Sequence, residues 1–377
     1  MNKGIFIVVL LAVTSLITSL SSCEKEKIEA VDSNNNSNNN NDNNDSTNQQ
    51  TTCFKAIDLS NHFSNIKNID FINVKEGWVY GSVENSNDVT LMNSVDSGKT
   101  WVEMTTNMTV ETTNIPFPYA KFINSTDGYL ISEYNGAVWG KEIKYTIDKG
   151  QTWTVIPHSG NTTGKWDAFD FNSTEAAFIG HSDGILYFVS NSTHTITDSV
   201  TLPNQLDFLL KSDLSLSENG VLTTVVYRSN AQTDYKLEIA QSTNNGLNWT
   251  YTDIDLQYVY TVDFPDDNNG FITGDVDLDN SFLYKTTDGG LSWIKKNIPE
   301  HFVDVNFFNA QNGIALGAGK IYKTTDGAET WTEISCLVTS NSYPSDAVCY
   351  PSLNKWFTTG ERTENNDGYA ELYIYNE

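Results

Sequence analysis

Five octapeptides decide how this chain reads: SVDSGKTW at Ser94 to Trp101, TIDKGQTW at Thr146 to Trp153, STNNGLNW at Ser242 to Trp249, TTDGGLSW at Thr286 to Trp293 and TTDGAETW at Thr324 to Trp331. Each fits a tight corner between two strands. A short side-chain oxygen at the third position (Asp96, Asp148, Asn244, Asp288, Asp326) can accept hydrogen bonds from the N–H groups of its own turn. The fifth position, glycine in four copies (Gly98, Gly150, Gly246, Gly290), tolerates positive φ. Hydroxyl residues can bond across the turn, while Trp101, Trp153, Trp249, Trp293 and Trp331 each bring a large ring to bury between sheets. None of these roles needs a substrate, so the recurring residues read as structural.

The spacing counts the units. Successive closing tryptophans lie 52, 96, 44 and 38 residues apart, and 96 is close to two repeats of 48. One repeat is therefore concealed, and Phe169 to Thr195 supplies its strand, turn and strand; its corner, Ser190 to Thr197, has lost the Asp, Gly and Trp. First strands are expected near Ile69 to Asn73, Ala120 to Asn124, Ala168 to Asn172, Leu209 to Asp213, Val262 to Asp266, Val305 to Asn309 and Ala347 to Pro351. Second strands follow, as in GWVYG at Gly77 to Gly81 and GFITG at Gly270 to Gly274; third strands lead into the corners, and the Trp opens the fourth. Units of about 40 to 50 residues with four strands each predict an all-β, seven-bladed propeller. The seventh unit's third strand, Glu371 to Tyr375, nearly reaches Glu377, whereas Cys53 to Leu59 looks like a spare fourth strand. That N-terminal strand is expected to complete the seventh blade and close the ring, which hides a sheet edge.

The octapeptides resemble the Asp-box, or BNR repeat, of sialidase-like and Ycf48-like β-propellers. The resemblance is closest to Ycf48-like repeats, in which F-x-x-x-x-x-G-x-x-x-G precedes T-T-D-G-G-x-x-W; Phe264, Gly270, Gly274 and TTDGGLSW match it, while blades three, four and seven depart. The Ycf48 role in photosystem II assembly implies a protein-binding scaffold. The sialidase likeness implies an arginine triad, a Tyr/Glu nucleophile pair and an Asp acid. With Arg228 and Arg362 as its only arginines, the chain cannot assemble that triad.

The N-terminus carries its own message. Lys3 and the apolar IFIVVLLAV read as a secretory signal over residues 1–22, too short for a membrane span. Leu20-Ser-Ser-Cys23 resembles a bacterial lipobox, which implies a lipid on Cys23, and Glu24-Lys-Glu-Lys27 resembles the export tag of Bacteroidota surface lipoproteins. An outer-membrane, cell-surface location is expected. Residues 23–52 form an Asn-rich tether in which Asp32 to Thr52 is almost without apolar side chains and, as about 20 residues of random coil, reaches roughly 25 Å; residues 53–377 form the propeller body. Asp45-Ser-Thr47 and Asp198-Ser-Val200 look like O-glycosylation triplets. Cys336 and Cys349 flank the link between the sixth and seventh repeats and are the favoured disulfide, with Cys53 as an alternative partner.

Twenty-two basic against 48 acidic residues, a net charge of −26, would repel nucleic acid and attract cations or basic partners. His62, His158, His181, His194 and His301 are scattered without metal-site spacing, and no phosphate loop precedes a helix. Asp275, Asp277 and Asp279 begin like a calcium loop, but Asn280 and Thr286 stand where Gly and Glu belong. Calcium aside, no cofactor is expected. In a four-stranded blade the corners occupy one face. The second-to-third-strand loops and the interblade connections share the other, bringing together Phe117, Tyr119, Trp166, Asp167 and Arg362. Aromatics beside charged groups suit recognition of protein or carbohydrate. The expected function is a monomeric, non-catalytic binding or assembly scaffold. The alternative is a propeller glycoside hydrolase using two carboxylates, for which 48 acidic residues single out no pair.

Overall fold

The computed structural model describes residues 54–63, 65–82, 89–104, 119–135, 139–158, 166–180, 185–202, 214–229, 235–277, 280–317, 319–334, 342–352, 355–364 and 367–376. Cys23 and its tether, Cys53, Phe117, Asp279 and Cys336 lie outside them. The described strands form seven four-stranded antiparallel sheets. Blade 1 runs Asn65–Phe71, Gly77–Ser82, Val89–Ser94, Val102–Met104, and blade 2 Tyr119–Phe122, Gly128–Asn135, Trp139–Thr146, Thr154–Ile156. The concealed blade 3 is Trp166–Phe171, Glu175–Gly180, Ile185–Ser190, Ile196–Thr201. Blade 4 is Leu214–Leu216, Leu222–Ser229, Tyr235–Ser242, Thr250–Asp253, blade 5 Tyr258–Asp263, Gly270–Asp277, Asn280–Thr286, Ile294–Asn297, and blade 6 Asp304–Phe307, Gly313–Gly317, Lys320–Thr324, Thr332–Glu333. Blade 7 takes Ser342–Ser352, Lys355–Glu364 and Asp367–Asn376 from the C-terminus and its outermost strand, Phe54–Asp58, from the N-terminus. The pairing runs from Phe54↔Tyr375 to Asp58↔Glu371, so the ring closes as expected.

The expected first strand of blade 4, Leu209 to Asp213, lies outside the described residues. The described first strand there is Leu214–Leu216, all three residues buried, with Leu214 paired to Thr224 and Leu216 to Leu222. In blades 1, 2, 3, 5 and 6 the expected strands ran past their true ends. Asn73, Asn124, Asn172, Asp266 and Asn309 are turn residues, each using one Oδ1 to accept the N–H groups two and three positions later. These Asx turns end the first strand by giving its backbone a local alternative to the ladder.

Packing explains the F-x5-G pattern. A Cβ on Gly77, Gly128, Gly270 or Gly313 would come within 2.4, 2.8, 2.4 or 2.6 Å of the ring of Phe71, Phe122, Phe264 or Phe307 respectively. The missing side chain is therefore the space in which the ring of the first strand lies. Those rings then join the blades: Phe71 stacks on Phe357 of blade 7 at 3.7 Å, Phe122 on Trp78 of blade 1 at 3.8 Å, and Phe307 on Phe271 of blade 5 at 3.5 Å. Such pairs contribute beyond the apolar area they bury.

Most first strands touch those of the neighbouring blades and together form the hub. There the residue before the phenylalanine or its equivalent ties one blade to the next. Asp70 accepts from the N–H of Phe122 at 2.7 Å, Asp170 from Leu216 at 2.8 Å and Asp263 from Phe307 at 2.6 Å. Lys121 supplies the intervening link, with Nζ 3.1 Å from Asp170 Oδ1. Burial pushes the Asp70 carboxyl up to about 7, against the lowering effects of the Phe122 N–H and Lys121.

Candidate functional site

The five corners share one hydrogen-bond pattern. At the first, Ser94 Oγ accepts from Gly98 N at 2.9 Å and donates to Asp96 Oδ1 at 3.0 Å. Asp96 Oδ1 also accepts the Thr100 N–H at 2.9 Å, and Oδ2 the Thr100 hydroxyl at 2.7 Å. The pattern repeats around Asp148, Asp288 and Asp326. Asn244 keeps the backbone contact, from Asn248 N at 2.9 Å, but faces no hydroxyl at the seventh position. Hydrogen bonds from the Thr100 N–H and hydroxyl hold Asp96 down at about 2. Burial works upward at Asp326, but the Thr330 hydroxyl and N–H outweigh it, again giving about 2. The fourth and fifth positions both have positive φ, as at Ser97 (70°) and Gly98 (73°), and Gly327 (70°) and Ala328 (67°). Trp101, Trp249 and Trp293 donate Nε1–H to the fifth-position carbonyl at 2.9–3.1 Å.

The corners are also joints between blades. The fourth-position carbonyl of Lys149 accepts from Trp78 Nε1 at 3.1 Å, that of Gly289 from Gln241 Nε2, and that of Gly327 from Lys285 Nζ at 2.7 Å. Each donor belongs to the preceding blade. Corner carboxylates are thus committed to their own turns, and the fourth-position carbonyls of three corners to the preceding blade, an arrangement that holds a ring rather than a ligand.

The opposite face carries the second-to-third-strand loops and the interblade connections. Tyr119 and Trp166 open the first strands of blades 2 and 3, with Asp167 next, and Arg362 lies near the end of the second strand of blade 7, paired with Ser342 and Tyr369. Strand direction puts all four at the loop-face side. Cys349 lies on the first strand of blade 7.

A polar cluster at the blade 5–6 connection on this face escaped the sequence reading, in which Asp275 begins a calcium-like loop with Asp277 and Asp279. The buried Asp275 accepts from the Tyr260 hydroxyl at 2.5 Å and from the Ser281 hydroxyl, with His301 Nδ1 at 3.5 Å. Burial first, then the Asp275 carboxylate, pushes the Tyr260 hydroxyl well up. Asp277, past a register shift, is exposed and accepts from Asn280 Nδ2 at 2.7 and 3.0 Å. Among the described residues no group of three His, Cys, Asp or Glu side chains could hold a metal ion. The Tyr260 to Asp275 pairing had no sequence signal beyond spacing, whereas the hub aspartates, also missed, could have been found from the recurring Asp-Phe pairs Asp70-Phe71, Asp170-Phe171 and Asp263-Phe264.

The blades, the corners and the ring closure define a seven-bladed Asp-box propeller. The family model described as photosynthesis system II assembly factor YCF48 matches residues 241–353, from the end of blade 4 into blade 7. The chain is similar to a solved structure of YCF48 bound to D1 peptide, at 18% identity and a TM-score of 0.58, covering 86% of this chain and 95% of that one. It is similar to the β-propeller domain of the trilobed protease from Pyrococcus furiosus, at 8% identity and a TM-score of 0.53, covering 83% and 93%. A third likeness is to the GH74 xyloglucanase from Xanthomonas campestris, at 10% identity and a TM-score of 0.50, covering 81% of this chain and 51% of that one. Curated protein sequences give no match.

Proposed function

We propose that this propeller is a non-catalytic binding and assembly scaffold that engages a polypeptide partner through its loop face. The observation that carries this reading is the division of labour between the two faces: the corner carboxylates and carbonyls are spent on turns and joints. Recognition is thereby left to the loops and connections opposite. The fold shared with YCF48, solved with a D1 peptide bound, supports a protein partner over a sugar. Tyr119, Trp166, Asp167 and Arg362, together with Phe117, are the proposed contact residues. Lipidation at Cys23 would anchor the chain in the outer membrane with the body exposed at the cell surface. The protein is taken to act as a monomer.

The test is a pull-down with the full chain, run beside a glycan array, with calcium and with chelator. Capture of a defined protein, lost on Trp166→Ala and Arg362→Ala, is the expected result. A glycan hit with release of a cleaved product would overturn the scaffold reading in favour of a hydrolase. Metabolic labelling with a clickable fatty acid, lost on Cys23→Ala, tests the anchor.

A further inference from the structure

The connection from blade 4 to blade 5 frames a cleft of about 450 Å³ on the loop face, lined by Leu237, Ile254, Leu256, Val276 and Tyr284 with Asp253, Asp255 and Gln257. Its floor is apolar: Leu237, Ile254 and Leu256 are buried in the core cluster between these blades, with Val276 packed against it. Its rim is acidic, since Asp253 and Asp255 are both exposed. Burial alternates along Ile254-Asp255-Leu256-Gln257, with the even-numbered side chains inward and the odd-numbered ones to solvent.

One group in the cleft has an unused capacity. Tyr284, 93% buried by its 7% exposure, accepts the Asp255 N–H on its hydroxyl oxygen at 3.0 Å. Its own O–H meets no acceptor among the described residues. A buried donor with no acceptor is costly unless an acceptor arrives for its hydrogen bond. The cleft therefore offers one donor deep inside, an aliphatic wall and two carboxylates at the mouth. Lys295 reaches Asp255 at 2.8 Å and lies 3.7 Å over the Phe282 ring, but both members of that pair are solvent-accessible, so an incoming cation can exchange with it.

We propose that this cleft takes an arginine or lysine side chain from an extended segment of the partner polypeptide. The aliphatic stem would lie along Leu237, Ile254 and Leu256, the cationic head would meet Asp253 and Asp255, and a backbone carbonyl beside it would accept a hydrogen bond from the Tyr284 hydroxyl. A long basic side chain is the amphipathic shape that such a site accommodates, and the net charge of −26 steers such segments toward the protein. This assignment rests on the polypeptide-binding reading above and narrows it to one pocket and one residue class.

The test uses the full chain and an array of extended hexapeptides, Ac-Ser-Thr-X-Val-Thr-Ser-NH2, with X as Arg, Lys, norleucine or Glu. Arg and Lys peptides are expected to bind about three- to tenfold more tightly than the norleucine peptide, and the Glu peptide least. Asp253→Asn with Asp255→Asn should erase the preference, and Val276→Trp, which fills the cleft from a half-buried position, should abolish binding without lowering the melting temperature. Binding with no preference for a cation, a preference that survives both variants, or no binding by any peptide overturns the cleft assignment. The pull-down then separates the two readings: a protein still captured by the Val276→Trp variant keeps the scaffold while discarding this pocket, and no capture at all discards both.

Discussion

Blades 5 and 3 turn the same corner with different chemistry. In blade 5, Thr286 to Trp293 closes on Asp288, and Trp293 stands edge-on to Phe264 at 5.8 Å and 86°. In blade 3 the corner has neither carboxylate nor tryptophan. Instead His194 takes φ of 52°, its N–H bonds the Ser190 carbonyl at 2.8 Å, and its ring stacks on Tyr145 of blade 2 at 4.4 Å. The Tyr129 hydroxyl reaches Asn191 Oδ1 at 3.1 Å. What both corners keep is a backbone bond to the first turn of their own blade: Gly289 N to Asn268 O at 2.8 Å, and Asn191 N to Thr174 O at 2.9 Å. The blade is thus set by its alternating apolar strands and this one bond, and the octapeptide is a reinforcement that blade 3 replaces with aromatic packing from its neighbour.

The sharpest way to break that comparison is to remove the rings. Trp293→Ala should cost about 3 kcal/mol in urea unfolding, against about 1 kcal/mol for His194→Ala. Equal losses would mean that the tryptophan is no greater a support than its substitute. Next come the carboxylates. Asp288→Ala should cost about 1.5 kcal/mol, since it strips hydrogen bonds from a turn, while Ser192→Ala at the matching place in blade 3 should stay within about 0.5 kcal/mol.

Acidity sharpens the same contrast. Asp96 and Asp326 sit at about 2 in the folded chain against an ordinary 3.8, so their contribution is present above about pH 4 and is lost as pH falls toward 2. The hub has the opposite sign: Asp70 is raised to about 7, so its contribution is full below the ordinary carboxylate value and declines as pH rises through 7. Urea midpoints measured from pH 2 to 8 should rise and then fall, and Asp70→Asn should flatten the upper limb alone. The smallest effect belongs to backbone strain. Ser97→Gly at φ of 70° should stabilise by about 0.5 kcal/mol, and Asn245→Gly at 55° by less, because asparagine tolerates this region.

The sequence displayed the corners and the ring closure because both depend on local residue types at fixed spacing. Its first strands were displaced wherever an asparagine or aspartate ended them, as at Asn73 and Asn309, since a turn that bonds its own backbone looks polar yet follows directly on an apolar run. The cleft beneath Tyr284 was not legible, because its walls come from strands separated by up to 47 residues, Leu237 and Tyr284, and nothing local marks either one as facing the other.

The pairing of Phe54 with Tyr375 also fixes an attitude. The Asp367–Asn376 strand runs toward the corner side, so Phe54 enters the disk at its circumference and on that side. A chain continuing upstream of Phe54 therefore leaves from the corner side of the rim, as a stem leaves a flower, and the loop side lies opposite that point.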